Sequence, residues 1–190
     1  MYFHETIRVP SERIGVIVGK NGRVRKRVEK LTNTKIDVSS QEGAVTITTP
    51  PDEENASPIL AWKARDIIRA MARGFSPKKA LSLIEEDYRL IIISLRDLVG
   101  TSPSQIKRVA GRIIGENGRT RKFIEQTTDV LVSVYGKTVS LIGPNPGLDY
   151  ARRAVTMLID GAPHSSVYKY LERARRAINR YEAELWEQPL

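Results

Sequence analysis

Two short turns, Gly19-Lys20-Asn21-Gly22 and Gly115-Glu116-Asn117-Gly118, hold the residues of this chain best suited to gripping a ligand. Each sets two glycines two residues apart, so the backbone can pass close to a bound group without a side chain in the way. Each leads directly into a basic stretch, Arg23-Val24-Arg25-Lys26 or Arg119-Thr120-Arg121-Lys122. A helix that starts at Arg23 or Arg119 aims its free N–H groups at the turn, and such groups favour an anion. The chemistry on offer is phosphate holding by main-chain amides. Lys20, Arg23, Arg25 and Lys26 assist in one turn, and Arg119, Arg121 and Lys122 in the other. One GxxG by itself is a weak signal, whereas two at the same point of a repeated pattern are a strong one.

Little else in the chain invites covalent chemistry. There is no cysteine, which removes disulfides, thiolate zinc sites and cysteine nucleophiles together. His4 and His164 are the two histidines and neither belongs to an HExxH motif; His164, between Pro163 and Ser165, reads as a helix-entry residue. Neither turn fits the nucleotide pattern GxxxxGK[ST], and the dinucleotide fingerprint GxGxxG is missing. The acidic runs Asp52-Glu53-Glu54 and Glu85-Glu86-Asp87 fall in expected linkers and read as solvated. The expectation is a binding protein with no catalytic residue, no metal site and no cofactor. Lysine and arginine number 31 against 22 acidic residues, a formal charge of +9, which suits a polyanionic partner. No apolar run approaches the roughly 18 residues of a membrane span, and no signal peptide opens the chain, so a cytoplasmic protein without a membrane partner is expected. Abundant arginine and glutamate without cysteine would suit a thermophile.

The two turns lie 96 positions apart and their surroundings repeat with them: 11 of the 24 residue pairs from Gly15/Gly111 to Val38/Val134 are identical. A duplicated unit of about 90 residues follows. Alternation predicts a strand over 2–9, stopped by Pro10-Ser11, which can cap the helix that follows. That helix covers 11–18, and a second starts at Arg23 with Val24, Val28 and Leu31 at helical spacing. Residues 34–39 and 44–49 alternate about Gln41-Glu42-Gly43 as a hairpin, and 57–74 form a helix ended by Gly74. Residues 76–86 read as a short connecting helix. The second copy gives a strand over 88–95, helices over 104–114 and 119–128, strands over 131–135 and 138–142, and a helix over 148–159. It carries extra residues, Arg96 to Pro103, between its first strand and first helix. Beyond the duplication, Val167, Leu171, Ala174, Ile178, Tyr181 and Leu185 form one apolar helical stripe, which either packs on the chain's own domains or docks a protein partner.

Each unit resembles a type I KH domain, judged from Ile14-Gly15-Val16-Ile17-Val18-Gly19-Lys20-Asn21-Gly22 and Ala110-Gly111-Arg112-Ile113-Ile114-Gly115-Glu116-Asn117-Gly118. The resemblance implies an α+β fold of two tandem βααββα units, each a three-stranded antiparallel sheet packed on three helices, plus a C-terminal helix. The domains would cover residues 1–86, 87–163 and 164–190. In that family the GxxG turn clamps the backbone of about four unpaired nucleotides. Bases would then lie in a groove lined by Ile14, Ile17, Val18 and Val38 in one copy and by Ile113, Ile114 and Val134 in the other. Gly15, Gly111 and Arg112 would border it. Lys20 fits the basic residue such turns usually carry, whereas Glu116 puts a carboxylate in the path of a phosphate. The segments Gly74-Phe75-Ser76-Pro77-Lys78-Lys79-Ala80-Leu81 and 161–172 extend the likeness to the archaeal, partner-of-Nob family of small-subunit assembly factors. This implies single-stranded RNA as partner, near the mature end of small-subunit rRNA. It further implies contact with the Nob endonuclease, which trims that rRNA, or with the alpha subunit of translation initiation factor two. A KH adaptor of RNA decay or of translation initiation, and a protein-binding scaffold, are the alternatives.

Overall fold

Alternating aliphatic residues build the first sheet. Strands β1 (His4–Arg8), β2 (Lys35–Ser39) and β3 (Ala44–Thr48) pair antiparallel in the order β1-β3-β2. The register sets Ile7 and Val38 opposite Val45, and Ile36 opposite Ile47, so these aliphatics share one face. Thr6, Lys35, Asp37 and Thr46 take the other face, as a period of two requires. Helices α1 (Ser11–Val18), α2 (Arg23–Thr32) and α3 (Pro58–Ala72) complete this unit. Its core gathers Ile17, Val28, Ile36, Val45, Ile47, Ile67 and Met71, all essentially without exposure. Each such side chain stabilises the unit by about 1.5–3 kcal/mol relative to an exposed position. The computed structural model describes residues 3–50 and 57–187, with side chains placed for 3–50 and 57–184. Tyr2, the Asp52-Glu53-Glu54 run and the Leu185 side chain lie outside those residues.

One expected detail is corrected at the first helix. α1 starts after Pro10 with no side-chain cap, so Ser11 does not supply the hydroxyl bond that its type suggested. The fixed φ of proline, here −55°, stands at that helix entry instead. After α3 the chain turns through Gly74 into α4 (Pro77–Ala80), where the Ser76 hydroxyl accepts from the Lys79 N–H. A 3-10 turn over Leu81–Ile84 follows. The Lys63 ammonium holds its end, donating to the carbonyls of Leu83, Ile84 and Glu85 at 3.1, 2.9 and 2.5 Å.

The second unit repeats the order: β4 (Arg89–Ser94), α6 (Pro103–Ile114), α7 (Arg119–Thr128), β5 (Leu131–Tyr135), β6 (Thr138–Gly143) and α8 (Gly147–Ile159). Its sheet has the order β4-β6-β5, again antiparallel. The additional residues after β4 form α5 (Leu95–Val99), begun by the Ser94 hydroxyl accepting from the Asp97 N–H at 3.3 Å. The chain divides into two compact units, Met1–Glu86 and Asp87–Leu190. The last helix, α9 (His164–Glu187), falls in the second and packs on α7 and α8. Val167, Leu171, Ala174 and Ile178 are buried along its stripe, while Tyr181 stands exposed. Among the described residues no helix is long and apolar enough to cross a membrane.

Candidate nucleic-acid interface

The two glycine turns share one backbone. Gly19 has φ 70° and ψ 174°, Gly115 72° and 172°. Asn21 (54°, 32°) and Asn117 (51°, 26°) are both left-handed, a region in which asparagine is enriched. Gly22 and Gly118 follow at φ 73° and 76°. A Cβ on Gly19 would overlap the Val24 side chain, and one on Gly115 the Thr120 side chain. The turn therefore needs glycine there for space as well as for its dihedral angles. The bonds that close each turn come from the N–H groups of Gly19, Gly22 and Arg23, or of Gly115, Gly118 and Arg119. They leave the amides of Lys20 and Asn21, and of Glu116 and Asn117, for an outside acceptor.

The helix behind each turn is anchored in the same way. Glu29 Oε1 accepts from the Ile36 N–H and Glu125 Oε1 from the Val132 N–H, both at 2.9 Å. Thr32 donates to the Val28 carbonyl at 2.7 Å and Thr128 to the Ile124 carbonyl at 2.8 Å. Both helices end on a left-handed residue, Asn33 or Asp129. Pairs 29/125 and 32/128 are identities of the duplication; the glutamates fix the basic helix to its strand, and the threonines bond back within the last turn of the helix.

Charge separates the copies. Residues 20–27 hold five cations, Lys20, Arg23, Arg25, Lys26 and Arg27, and no acid. Residues 116–123 hold three, Arg119, Arg121 and Lys122, beside the Glu116 carboxylate. Lys20, Arg23, Lys26, Arg27, Glu116, Arg119 and Lys122 are exposed. Arg25 and Arg121 are half-buried, each with its Nε shielded from water and without a hydrogen bond. Arg25 Nε lies 3.9 Å from Glu29 Oε2.

The proposed groove residues sort into two kinds. Gly15 and Gly111 are exposed, with open space where a Cβ would stand, so a ligand can press on the backbone of α1 and α6. Val18, Val38, Ile114 and Val134 are half-buried, each with part of its surface open. Ile17 and Ile113 are corrected: both are wholly buried, because they fall on the helix face turned to the core. Ile14 is 7% exposed and serves the core as well. Arg112 lines the cavity of the second unit and also has a structural task. Its guanidinium donates from Nε to the Leu158 carbonyl at 3.2 Å and from Nη2 to the Ala162 carbonyl at 2.6 Å, tying off the end of α8. Arg13 does the same in the first unit, to the carbonyls of Met71 and Phe75 at 2.8 and 2.7 Å.

Next to the helix that follows each turn, between it and α4 in the first unit or the start of α9 in the second, lies a cavity that the residue types did not announce. In the first unit it measures about 370 Å³ and is lined by Arg23, Val24, Arg27, Pro77, Lys78 and Leu81. In the second it measures about 470 Å³, and its walls include Arg108, Glu116, Arg119, Thr120, His164 and Tyr168. His164 opens α9, and its Nε2–H donates to the Arg112 carbonyl at 2.9 Å. Tyr168 and Thr120 share a hydrogen bond of 2.9 Å, and the Tyr168 ring meets Phe123 edge-on at 4.8 Å. The signal for these walls was a second alignment, Gly74 with Gly161, which pairs Pro77 with His164 and Leu81 with Tyr168. Among the described residues no group of three or more His, Cys, Asp or Glu side chains gathers as a metal site would require.

Comparison with known proteins follows the duplication. The KH domain pattern matches residues 4–59, and the eukaryotic type KH-domain (KH-domain type I) matches residues 89–176. The chain is 42% identical over 183 residues to a KH domain-containing protein of Methanocaldococcus jannaschii, covering 96% of this chain and 79% of that one. The crystal structure of Dim2p from Pyrococcus horikoshii superposes with a TM-score of 0.82 at 46% identity, covering 90% of this chain and 99% of that one. A structure of the a/eIF2alpha–aDim2p–rRNA complex from the same organism matches with a TM-score of 0.85 at 44% identity, over 93% and 96% of the two chains.

Proposed function

The chain belongs to the tandem KH-domain family that includes Dim2p of Pyrococcus horikoshii, and from that premise we propose that it binds single-stranded RNA through both glycine turns. The RNA proposed is the 3′ end of small-subunit rRNA during ribosome assembly. The observation that carries this reading is the turn built twice with matching dihedral angles, each leaving two amides open beside a basic helix start. The amides of Lys20 and Asn21 take one phosphate oxygen set, with Lys20, Arg23 and Lys26 neutralising neighbouring phosphates. Gly15 lets the sugar-phosphate chain lie on α1, and Val18 and Val38 offer apolar area to a base. Gly111, Ile114 and Val134 do so in the second unit. Two weak sites on one chain gain about a hundredfold in avidity where a strand reaches both.

Relatives support the choice of RNA and of one protein partner. The Pyrococcus aDim2p is seen with rRNA and with a/eIF2alpha. By likeness, this chain would meet rRNA and the alpha subunit of that initiation factor. Contact with the Nob endonuclease rests on the sequence resemblance. Filter binding tests the reading: an unpaired decamer with the small-subunit 3′-terminal sequence is expected to bind more tightly than a scrambled decamer of equal composition. Equal affinity would remove the rRNA assignment, and no binding to either would remove RNA binding itself.

A further inference from the structure

Glu116 stands where a phosphate-holding turn should carry a cation, yet its side chain lines the cavity on the α9 side of the turn. We propose that this cavity is a base-reading subsite in which Glu116 accepts from the amino group of adenine, cytosine or guanine and rejects uracil. This rests on the RNA-binding reading above. At about 470 Å³ the space falls in the range of pockets that hold small ligands. Two exposed cations, Arg108 and Arg119, stand in its lining, where they can hold the phosphates flanking a base. The rings of His164 and Tyr168 are fixed by their bonds to the Arg112 carbonyl and to Thr120, which gives a base a preset surface to lie on. A carboxylate pairs with the donors of an amino-bearing base edge. Uracil presents one N–H between two carbonyls, whose oxygens repel it.

The first unit is the control that nature supplies. Its cavity overlaps the second in part, with Arg23 for Arg119, Val24 for Thr120, Pro77 for His164 and Leu81 for Tyr168, and no residue of α1 or of the turn lines it. There Arg27 and Lys78 add cations, and no acceptor side chain or aromatic ring lines the wall. That lining suits a phosphate and reads no base. The second cavity thus combines a carboxylate with two rings, which a merely weakened clamp would not require.

The test uses the full chain and uridine decamers, either all-uridine or with one central adenosine, cytidine or guanosine. The wild type is expected to favour the substituted decamers by about tenfold, the discrimination of one good polar contact to a base. Glu116→Lys should bind the all-uridine decamer more tightly than wild type and lose the preference, and Glu116→Gln should keep part of it. Circular dichroism establishes that the variants are folded. A wild type that binds all decamers equally, or a Glu116→Lys variant with the preference intact, overturns the subsite while RNA binding stands. A wild type that binds no decamer overturns both. Adenosine or cytidine monophosphate that binds more tightly than the decamers would overturn the assignment in favour of a free nucleotide.

Discussion

The two glycine turns of this molecule have nearly the same backbone and opposite side chains at the residue after the first glycine. Asn21 and Asn117, Gly22 and Gly118 agree within a few degrees, yet Lys20 faces the solvent in one copy and Glu116 in the other. The duplication preserved what makes the turn: the glycines, the left-handed asparagine, the Glu29/Glu125 bonds that anchor the helix behind it to its strand, and the Thr32/Thr128 bonds that close that helix. It did not preserve what makes the turn attractive to phosphate. A shape that needs several residues to agree cannot drift one residue at a time, whereas an exposed side chain on that shape can. The copies are therefore one scaffold with two electrostatic settings, strongly basic in the first unit and mixed in the second.

The largest effect expected from breaking this comparison comes from Lys20→Asp with Asn21→Asp. Two like charges beside the phosphates should weaken binding of an unpaired decamer about a hundredfold, measured by fluorescence anisotropy, with the unfolding midpoint unchanged because both side chains are exposed. A folded double variant that binds normally would show that the first turn is not the clamp.

The arginine clamps come next. Arg13→Lys and Arg112→Lys each give up a two-pronged hold on helix-end carbonyls, at a cost of about 1.5–3 kcal/mol to the unit concerned. Hydrogen exchange should show the loss confined to residues 1–86 for the first and 87–190 for the second. Exchange that rises in the wrong unit would contradict the assigned roles. Asn117→Asp should cost less than the first-turn pair, about tenfold in RNA affinity, since a carboxylate already stands beside it. Equal losses at the two turns would mean that the copies contribute alike.

Salt reports the sum of both settings. With about six phosphates neutralised, log affinity should fall against log salt with a slope near −4. Lys20→Asp with Asn21→Asp should flatten it more than Asn117→Asp does. A slope near zero in the wild type would remove the electrostatic part of the account. The smallest effect is a property of the second unit alone. Burial pushes the Tyr170 hydroxyl above its ordinary value, with Tyr150 beside it adding to the rise. The folded state thus favours the neutral phenol. Its contribution is fully present below about pH 10 and lost as pH rises through the folded value. Tyr170→Phe should make alkaline unfolding of the second unit less steep, and an unchanged profile would contradict this.

Much of the fold was legible because a repeat tests itself. The offset of 96 residues placed both turns, the helices that follow and the strands up to Val38 and Val134. It failed beyond them, since Val38 to Gly74 spans 36 positions and Val134 to Gly161 spans 27, a loss of nine. The pairing of α4 with the start of α9 was hidden by that shortening, and with it the walls at Pro77, Lys78, His164 and Tyr168. Helix α5 leaves no periodic signal in the sequence, because five residues are too few to show one. Aliphatic type alone places Ile17 and Ile113 in a groove, because it does not distinguish a helix face turned to the core from the face beside it. Arg112 illustrates the converse: a helical arginine near a phosphate-binding turn suggests RNA, and its partners are carbonyls reached only through the tertiary fold.

The central claim is that open main-chain amides in the two turns receive an RNA backbone. Nitrogen-15 NMR of the full chain during titration with an unpaired decamer measures it at those atoms. The amide signals of Lys20 and Asn21 are expected to shift most, and those of Glu116 and Asn117 to shift also, while amides of the sealed core positions Ile17 and Ile113 move little. Saturable RNA binding that leaves all four turn amides in place would contradict the account.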